Sequence, residues 1–350
     1  MNKLLDKLMK AGTIKSADVL SDTPFFNMKD CVPTELPILN IAFSGDIDGG
    51  LVPGLSIIAG ESRSYKTLLS LYCMKAYFNK YPDSIALLYD SEFGITPEYL
   101  EMNGIDASRI IHIPIEHIEQ LKFDIVKRLE QIERGDKVFF MIDSIGSLPS
   151  KKEIDDALNE SSAADMTRAK AIRSLLRIIT PHLTMKDIPC LAINHIYKTM
   201  ELYAKSIISG GQSVMLCANQ AFIVTRAQEK DGADLVGYNF TINIEKSRFV
   251  KEKSKLTFQV KFDEGISKYS GLMDLALESG HVIKPKQGWY QIPGDEKNYR
   301  LANTNTPEFW DRIVSDNSFK EFVTYKFKLT SKLLELEEDE PTEEMIEGEV

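Results

Sequence analysis

The segment 55–67, LSIIAGESRSYKT, joins an apolar run, a glycine, a short polar loop and a Lys-Thr pair that opens a helical pattern. Such a strand–loop–helix passage turns backbone N–H groups and a helix N-terminus toward an anion. In this P-loop arrangement Gly60, Glu61, Ser62, Arg63, Ser64 and Tyr65 form the cradle. Lys66 would reach the outer phosphates of a nucleoside triphosphate, and the Thr67 hydroxyl would ligate Mg2+. One position departs from the motif: glycine is expected just before the lysine, and Tyr65 stands there. A side chain at that point restricts φ and crowds the loop. The motif alone leaves phosphate binding and a plain strand–loop–helix connection level.

Two acidic strand ends add weight to phosphate chemistry. Residues 137–143, KVFFMID, form an apolar strand closing on Asp143, which could hold Mg2+ through its water shell. Alone, Asp143 could equally cap the next element. Residues 86–92, ALLYDSE, end in Asp90 and Glu92. Glu92 is placed to act as a general base on an attacking water, with Asp90 orienting it. Carboxyl ends of parallel strands line the ligand crevice of an open sheet.

These side chains require a particular scaffold. Strands are expected at 55–59, 84–89, 109–113, 137–142 and 188–193, with helices at 67–81, 97–103, 118–134 and 163–182. Apolar strands alternating with helices indicate an α/β class, with a mainly parallel twisted sheet covered on both faces. Strands at 221–225, 238–244 and 256–262 follow one another and should extend the sheet antiparallel. We divide the chain into a helical N-terminal segment (1–30), a P-loop core (31–270), a small C-terminal domain (271–332) and an acidic tail (333–350). In the first segment Leu4, Leu5, Leu8 and Met9 share a helical face. A helix so short must dock that face on its own body or on a neighbour.

Composition excludes several classes. The 350 residues are 43% hydrophobic and 27% charged, ordinary for a globular protein and far from a disordered or fibrous one. The net charge is −10, yet nine acidic residues and no basic one lie between Glu335 and Val350, so the body is nearly neutral. The four cysteines show no Cys-x-x-Cys pair and the five histidines no metal spacing. That argues against a disulfide scaffold or zinc knuckle, and for a reducing, cytoplasmic compartment. No apolar run approaches the roughly 20 residues of a membrane helix, so no membrane partner is expected. The opening MNKLLDKLMK has no long apolar core, unlike a secretory signal. Arg168, Lys170, Arg173 and Arg177 crowd the 163–182 helix. By itself such a helix is usually only solvated.

From about residue 30 to 310 the chain resembles the RecA-type recombinases. The resemblance rests on LNIAF at 39–43, GGLVPG at 49–54, the loop at 60–67 and YDSEFGIT at 89–96. An aromatic residue before the P-loop lysine looks like the phage branch of that family, which places the chain in the cytoplasm of a bacterial host. The resemblance implies a RecA-like core, ATP and Mg2+ as cofactors, and Glu92 as the catalytic glutamate. It implies Tyr99 stacking on adenine, and His195 in the place of a γ-phosphate-sensing glutamine. Lys246 and Arg248 would reach the ATP of the neighbouring protomer. Residues 150–164, with Lys151 and Lys152, resemble one DNA loop. Residues 196–209, with Lys198 and Lys205, resemble the other, closed by Gly210 and Gly211. Beside these loops, Arg168, Lys170 and Arg173 become part of a phosphate-tracking groove. The implied protein is a homo-oligomeric helical filament on single-stranded DNA that pairs it with double-stranded DNA. A recombination mediator and a single-strand-binding protein would be its partners. A hexameric helicase motor, a nucleotide-gated scaffold and a phosphotransferase are the competing readings.

Overall fold

The computed structural model describes residues 3–23, 30–159, 167–199 and 206–329. Lys205, the end of the first candidate DNA loop and the acidic tail lie outside the described residues. The elements in order are α1 (Lys3–Ala11), α2 (Pro37–Ser44), β1 (Gly54–Gly60), α3 (Lys66–Lys80), β2 (Ile85–Asp90), α4 (Pro97–Met102), β3 (Ile110–Pro114), α5 (Ile118–Gln131), β4 (Val138–Asp143), α6 (Lys151–Leu158) and α7 (Thr167–Met185). There follow β5 (Pro189–Lys198), β6 (Ser206–Ile208), α8 (Gln212–Cys217), β7 (Gln220–Asp231), β8 (Asp234–Lys246), β9 (Lys255–Lys261), β10 (Gly265–Ile266), α9 (Leu272–Glu278), α10 (Pro307–Ser315) and α11 (Asn317–Phe327).

The strands form one sheet in the order β10-β9-β8-β7-β1-β5-β4-β2-β3, with β6 paired to β5. From β1 to β3 all pairings along this path are parallel. Strand β7 joins β1 in parallel as well, and only β8, β9 and β10 continue antiparallel. The parallel entry of β7 differs from the expectation that this strand starts the antiparallel part. The six-residue helix α8, too short to announce itself by periodicity, carries the chain back to the sheet's starting end before β7 begins.

Side chains alternate between two apolar layers, as the period of a strand demands. On β1, Ile57 and Ala59 face α5 and α7, while Ile58 faces α2 and α3. Helix α5 buries Ile118, Leu121, Ile125 and Leu129, and α7 buries Ile172, Leu175, Leu176, Ile179 and Leu183. Both sets follow the i, i+3, i+4 spacing of one helical face. The segment after Gly271 has no separate apolar cluster among the described residues. Phe309, Trp310, Ile313 and Phe319 share the layer of Ile38, Leu39 and Phe43. Trp310 stacks on Tyr269 at 5.8 Å and meets Phe309 edge-on at 5.2 Å.

Helix α1 buries none of its residues, and Leu4 and Leu8 are 60% and 62% exposed. No described helix is long and apolar enough to cross a membrane.

Because Trp310 belongs to the layer beneath β8 and β9, Trp310→Ala should destabilise the core together with the C-terminal segment. The expected loss is about 3–5 kcal/mol, read as a shifted midpoint of one denaturant transition. Two separate transitions would contradict the shared layer.

Candidate functional site

Parallel register brings the functional strand ends together: Gly60 stands beside His195, and Asp90 beside Asp143. Beyond Gly60 the chain turns so sharply that a Cβ there would lie 2.5 Å from Ser64 Oγ and 2.6 Å from the Val224 carbonyl. The Ser64 hydroxyl donates to the Glu61 carbonyl at 2.8 Å, closing the loop. Lys66 donates to the same carbonyl at 2.7 Å and to Ser64 Oγ at 3.3 Å. Burial lowers the Lys66 pKa, and the charges of Glu92 and Asp143 oppose that shift.

Tyr65 adopts φ +60°, the left-handed conformation that favours glycine. Its ring leaves the loop and packs on Phe240 of β8, 4.8 Å between centroids. The backbone thus takes the shape a glycine would give, and the aromatic contact offsets the strain.

The Thr67 hydroxyl donates to Asp143 Oδ2 at 2.8 Å. Asp143 is buried, and its Oδ1 has no hydrogen-bond partner among the described residues. Burial pushes this carboxyl up to about 6, against the Thr67 bond, and Glu92 and Asp90 push in the same direction. A buried hydroxyl–carboxylate pair with one carboxylate oxygen to spare fits Mg2+, which takes one or two protein ligands and completes its shell with water and phosphate. No cluster of three or more His, Cys, Asp or Glu side chains among the described residues could hold a metal unaided, so these two residues suit a cation arriving with a nucleotide.

Glu92 follows β2 on a turn held by Asp90. Asp90 Oδ1 accepts from the Glu92 and Phe93 amides at 3.0 and 2.8 Å, and its Oδ2 meets His112 Nε2 at 3.1 Å. Glu92 Oε1 in turn is met by Ser144 Oγ at 2.7 Å, Ser147 Oγ at 2.9 Å and His195 Nε2 at 3.0 Å. The His195 bond, ahead of the serine bonds and against burial, lowers the Glu92 carboxyl to about 2. Gly146 makes this possible: a Cβ there would lie 2.6 Å from the His195 ring. Ser144, Gly146, Ser147 and His112 escaped the sequence reading. Only the serine-rich run directly after Asp143 hinted at the first three. A cleft of about 320 Å³ collects Ser62 to Thr67, Glu92, Tyr99, Asp143 and His195. Tyr99 sits on α4, whose first turn is capped by Thr96.

The other sequence-selected residues are placed differently. Lys246 donates to the Met215 and Leu216 carbonyls at 2.6 and 3.1 Å, at the end of α8. Its register neighbour Ala221 stands beside Ile57, toward the end of the sheet opposite the P-loop. Arg248, just beyond, is exposed. Neither reaches this chain's own cleft. Lys151 and Lys152 are exposed at the start of α6, with Lys152 paired to Asp156. Lys170 and Arg173 are exposed on α7. Arg168 is turned inward: it donates to the Leu148 and Gly146 carbonyls, both at 2.7 Å, and holds the loop that carries Ser147. Its Nε and Nη2 are thus engaged by the protein, and it is less exposed than Lys170 and Arg173. Lys198 pairs with Glu61. Gly210 and Gly211, at φ +91° and +74°, close the β5–β6 hairpin onto α8. In the C-terminal segment Trp289 is half-buried, with Arg300 and Lys286 at 4.2 and 5.0 Å from its ring.

A family model described as the RecA N-terminal domain matches residues 30–267. The chain belongs to the RecA family of recombinases. A second model, the C-terminal domain of the bacteriophage T4 recombination and repair protein, matches residues 269–323. The recombination and repair protein of Enterobacteria phage T4 is 47% identical over 97% of this chain and 90% of its own length. RecA of Streptomyces ambofaciens is 27% identical over 76% of this chain and 70% of its own. RecA of Paenarthrobacter aurescens is 25% identical over 91% and 89%. The mixed sheet described above is thus a RecA-like core, in a recombination protein of phage kinship.

Two measurements test this geometry. Tyr65→Gly and Tyr65→Ala both lose the Phe240 contact, but only alanine keeps a Cβ at positive φ, so the glycine variant should be more stable by about 1 kcal/mol. Equal denaturation midpoints would show that Tyr65 is unstrained. Glu92 is lowered from its ordinary 4.5 to about 2. Its contribution to stability is therefore present above pH 4.5 and fades as pH falls toward 2. His195→Ala should move the Glu92 carboxyl back toward 4.5 in an NMR titration and weaken that acid dependence.

Proposed function

We propose that this RecA-family chain is an ATP-dependent recombinase that polymerises on single-stranded DNA and exchanges strands with homologous duplex. The observation that carries the reading is the meeting of Lys66, Thr67, Asp143 and Glu92 in one cleft, with Glu92 held by side chains rooted beside both candidate DNA-binding segments. In this reading Lys66 leaves the Glu61 carbonyl for the outer phosphates, and Tyr99 stacks on the adenine. Thr67 and Asp143 hold Mg2+, which when bound shields phosphate charge. Glu92, once freed from Ser144, Ser147 and His195, orients and deprotonates the attacking water. His195, at the root of the β5–β6 hairpin, senses the γ-phosphate.

Lys246 and Arg248 do not line their own cleft, so they would act on the nucleotide of an adjacent copy, stabilising transition-state charge as an arginine finger does. Hydrolysis would then require assembly, and α1, whose Leu8 is largely exposed, is suited to dock on that copy. Lys151, Lys152, Lys170, Arg173 and Lys198 are the cations we assign to DNA phosphates. The mediator and single-strand-binding partners belong to the same proposal. A nucleotide-gated scaffold draws its support from Tyr65, whose ring packs on Phe240.

The test is steady-state ATP hydrolysis with and without single-stranded DNA. DNA should stimulate the unmodified chain. Glu92→Gln should lower turnover by about 100-fold or more while nucleotide-dependent DNA binding persists, and Lys66→Ala should lose both. DNA binding without turnover in the unmodified chain would move the scaffold reading ahead, and closed rings under the electron microscope would favour a helicase.

A further inference from the structure

Among the described residues, an ion pair joins the P-loop to the β5–β6 hairpin. Lys198 Nζ lies 3.3 Å from Glu61 Oε1. Lys198 is the last residue of β5 in register with β6, opposite Ser206. It therefore stands at the end of the paired part of the hairpin. Glu61 is the first loop residue after the β1 strand, and its carbonyl receives both the Lys66 ammonium and the Ser64 hydroxyl. One residue thus holds the hairpin lysine by its side chain and the P-loop lysine by its backbone. The pair closes a small cavity of about 220 Å³, lined among others by Ser64, Ile196, Thr225 and Arg226. Arg226 steadies the same loop by donating to the Arg63 carbonyl at 3.2 Å.

Both partners are more than half exposed, and exposed pairs of this kind are weak. Weakness is what a displaceable contact needs. A nucleic-acid phosphate can take Lys198 from Glu61, whereas a buried pair would resist it. We infer that Glu61 is a positioning residue that links occupancy of the phosphate loop to the freedom of Lys198 to bind DNA. The inference rests on the recombinase reading above and specifies how its two sites communicate. Withdrawal of Lys66 toward phosphates removes one constraint on Glu61 and loosens its hold on Lys198. Capture of Lys198 by DNA acts in the reverse direction on the loop, as linkage requires.

The test is binding of a fluorescently labelled oligothymidylate, with and without a non-hydrolysable ATP analogue. Four full-length chains are compared: unmodified, Glu61→Gln, Lys198→Gln and the double variant. Glu61→Gln should tighten nucleotide-free binding several-fold and narrow the ratio between analogue-bound and nucleotide-free affinities. Its log–log salt slope should steepen by about 0.7, because one more cation is free to meet a phosphate. In the Lys198→Gln background the Glu61 substitution should do nothing further, which separates the pair from a general gain on removing a negative charge. A Glu61→Gln effect that persists without Lys198, or an unchanged affinity ratio, overturns the inference while leaving the recombinase reading intact. An unmodified chain that ignores DNA in both states overturns that reading and this inference together.

Discussion

Parallel hydrogen bonding in register is the constraint on which the site depends. It lines up the carboxyl ends of β1, β2, β4 and β5, so Gly60, Asp90, Asp143 and His195 stand along one rim of the sheet. Each must then be followed by a loop on the same side, because a parallel strand returns only through a crossover. The phosphate loop, the Glu92 turn, the 144–150 loop and the β5–β6 hairpin therefore converge without any of them being long. Strands buried on both faces make the register costly to slip, since a shift of one residue would exchange the two apolar layers.

The same convergence gathers charge in a half-buried place. Lys66, Asp143 and Glu92 interact, and each answers differently. Lys66 is lowered by burial, Asp143 is raised by it, and Glu92 is held low by three hydrogen-bond donors. The difference lies in satisfaction. Glu92 has donors from the 144–150 loop and from β5, whereas Asp143 has one bond and one oxygen without a partner among the described residues. A carboxylate so well satisfied is a weak base at rest, and one so poorly satisfied is suited to a cation. Activity in such a cleft is governed by which donors let go.

Much of this was legible in the sequence. The runs at 55–59, 137–142 and 188–193 are largely apolar, and each is a central strand. Thr67 and Asp143 were paired from motif spacing and are hydrogen-bonded. Less legible were elements whose identity depends on partners. Helix α8 is too short for periodicity, so the parallel return of β7 stayed hidden. The C-terminal segment also shares an apolar layer with the core, a packing that no local pattern around Trp310 could reveal.

Side-chain orientation was the least accessible. Arg168 sits within a basic helix and reads as a DNA contact, yet it turns to the carbonyls of a loop from the previous crossover. Tyr65 reads as a departure from the phosphate-loop motif, and only the fold shows that its ring rests on Phe240, far along the chain. Sequence by itself determined the alternation of strand and helix, the phosphate loop, and the acids at strand ends, because these follow from near-neighbour periodicity and backbone preference. Only the tertiary structure decided that Glu92 is met by Ser144, Ser147 and His195, that Lys198 is held by Glu61, and that Lys246 does not line its own cleft. Those outcomes depend on which distant segments the sheet order makes adjacent, and burial of two apolar layers selects that order for the chain as a whole.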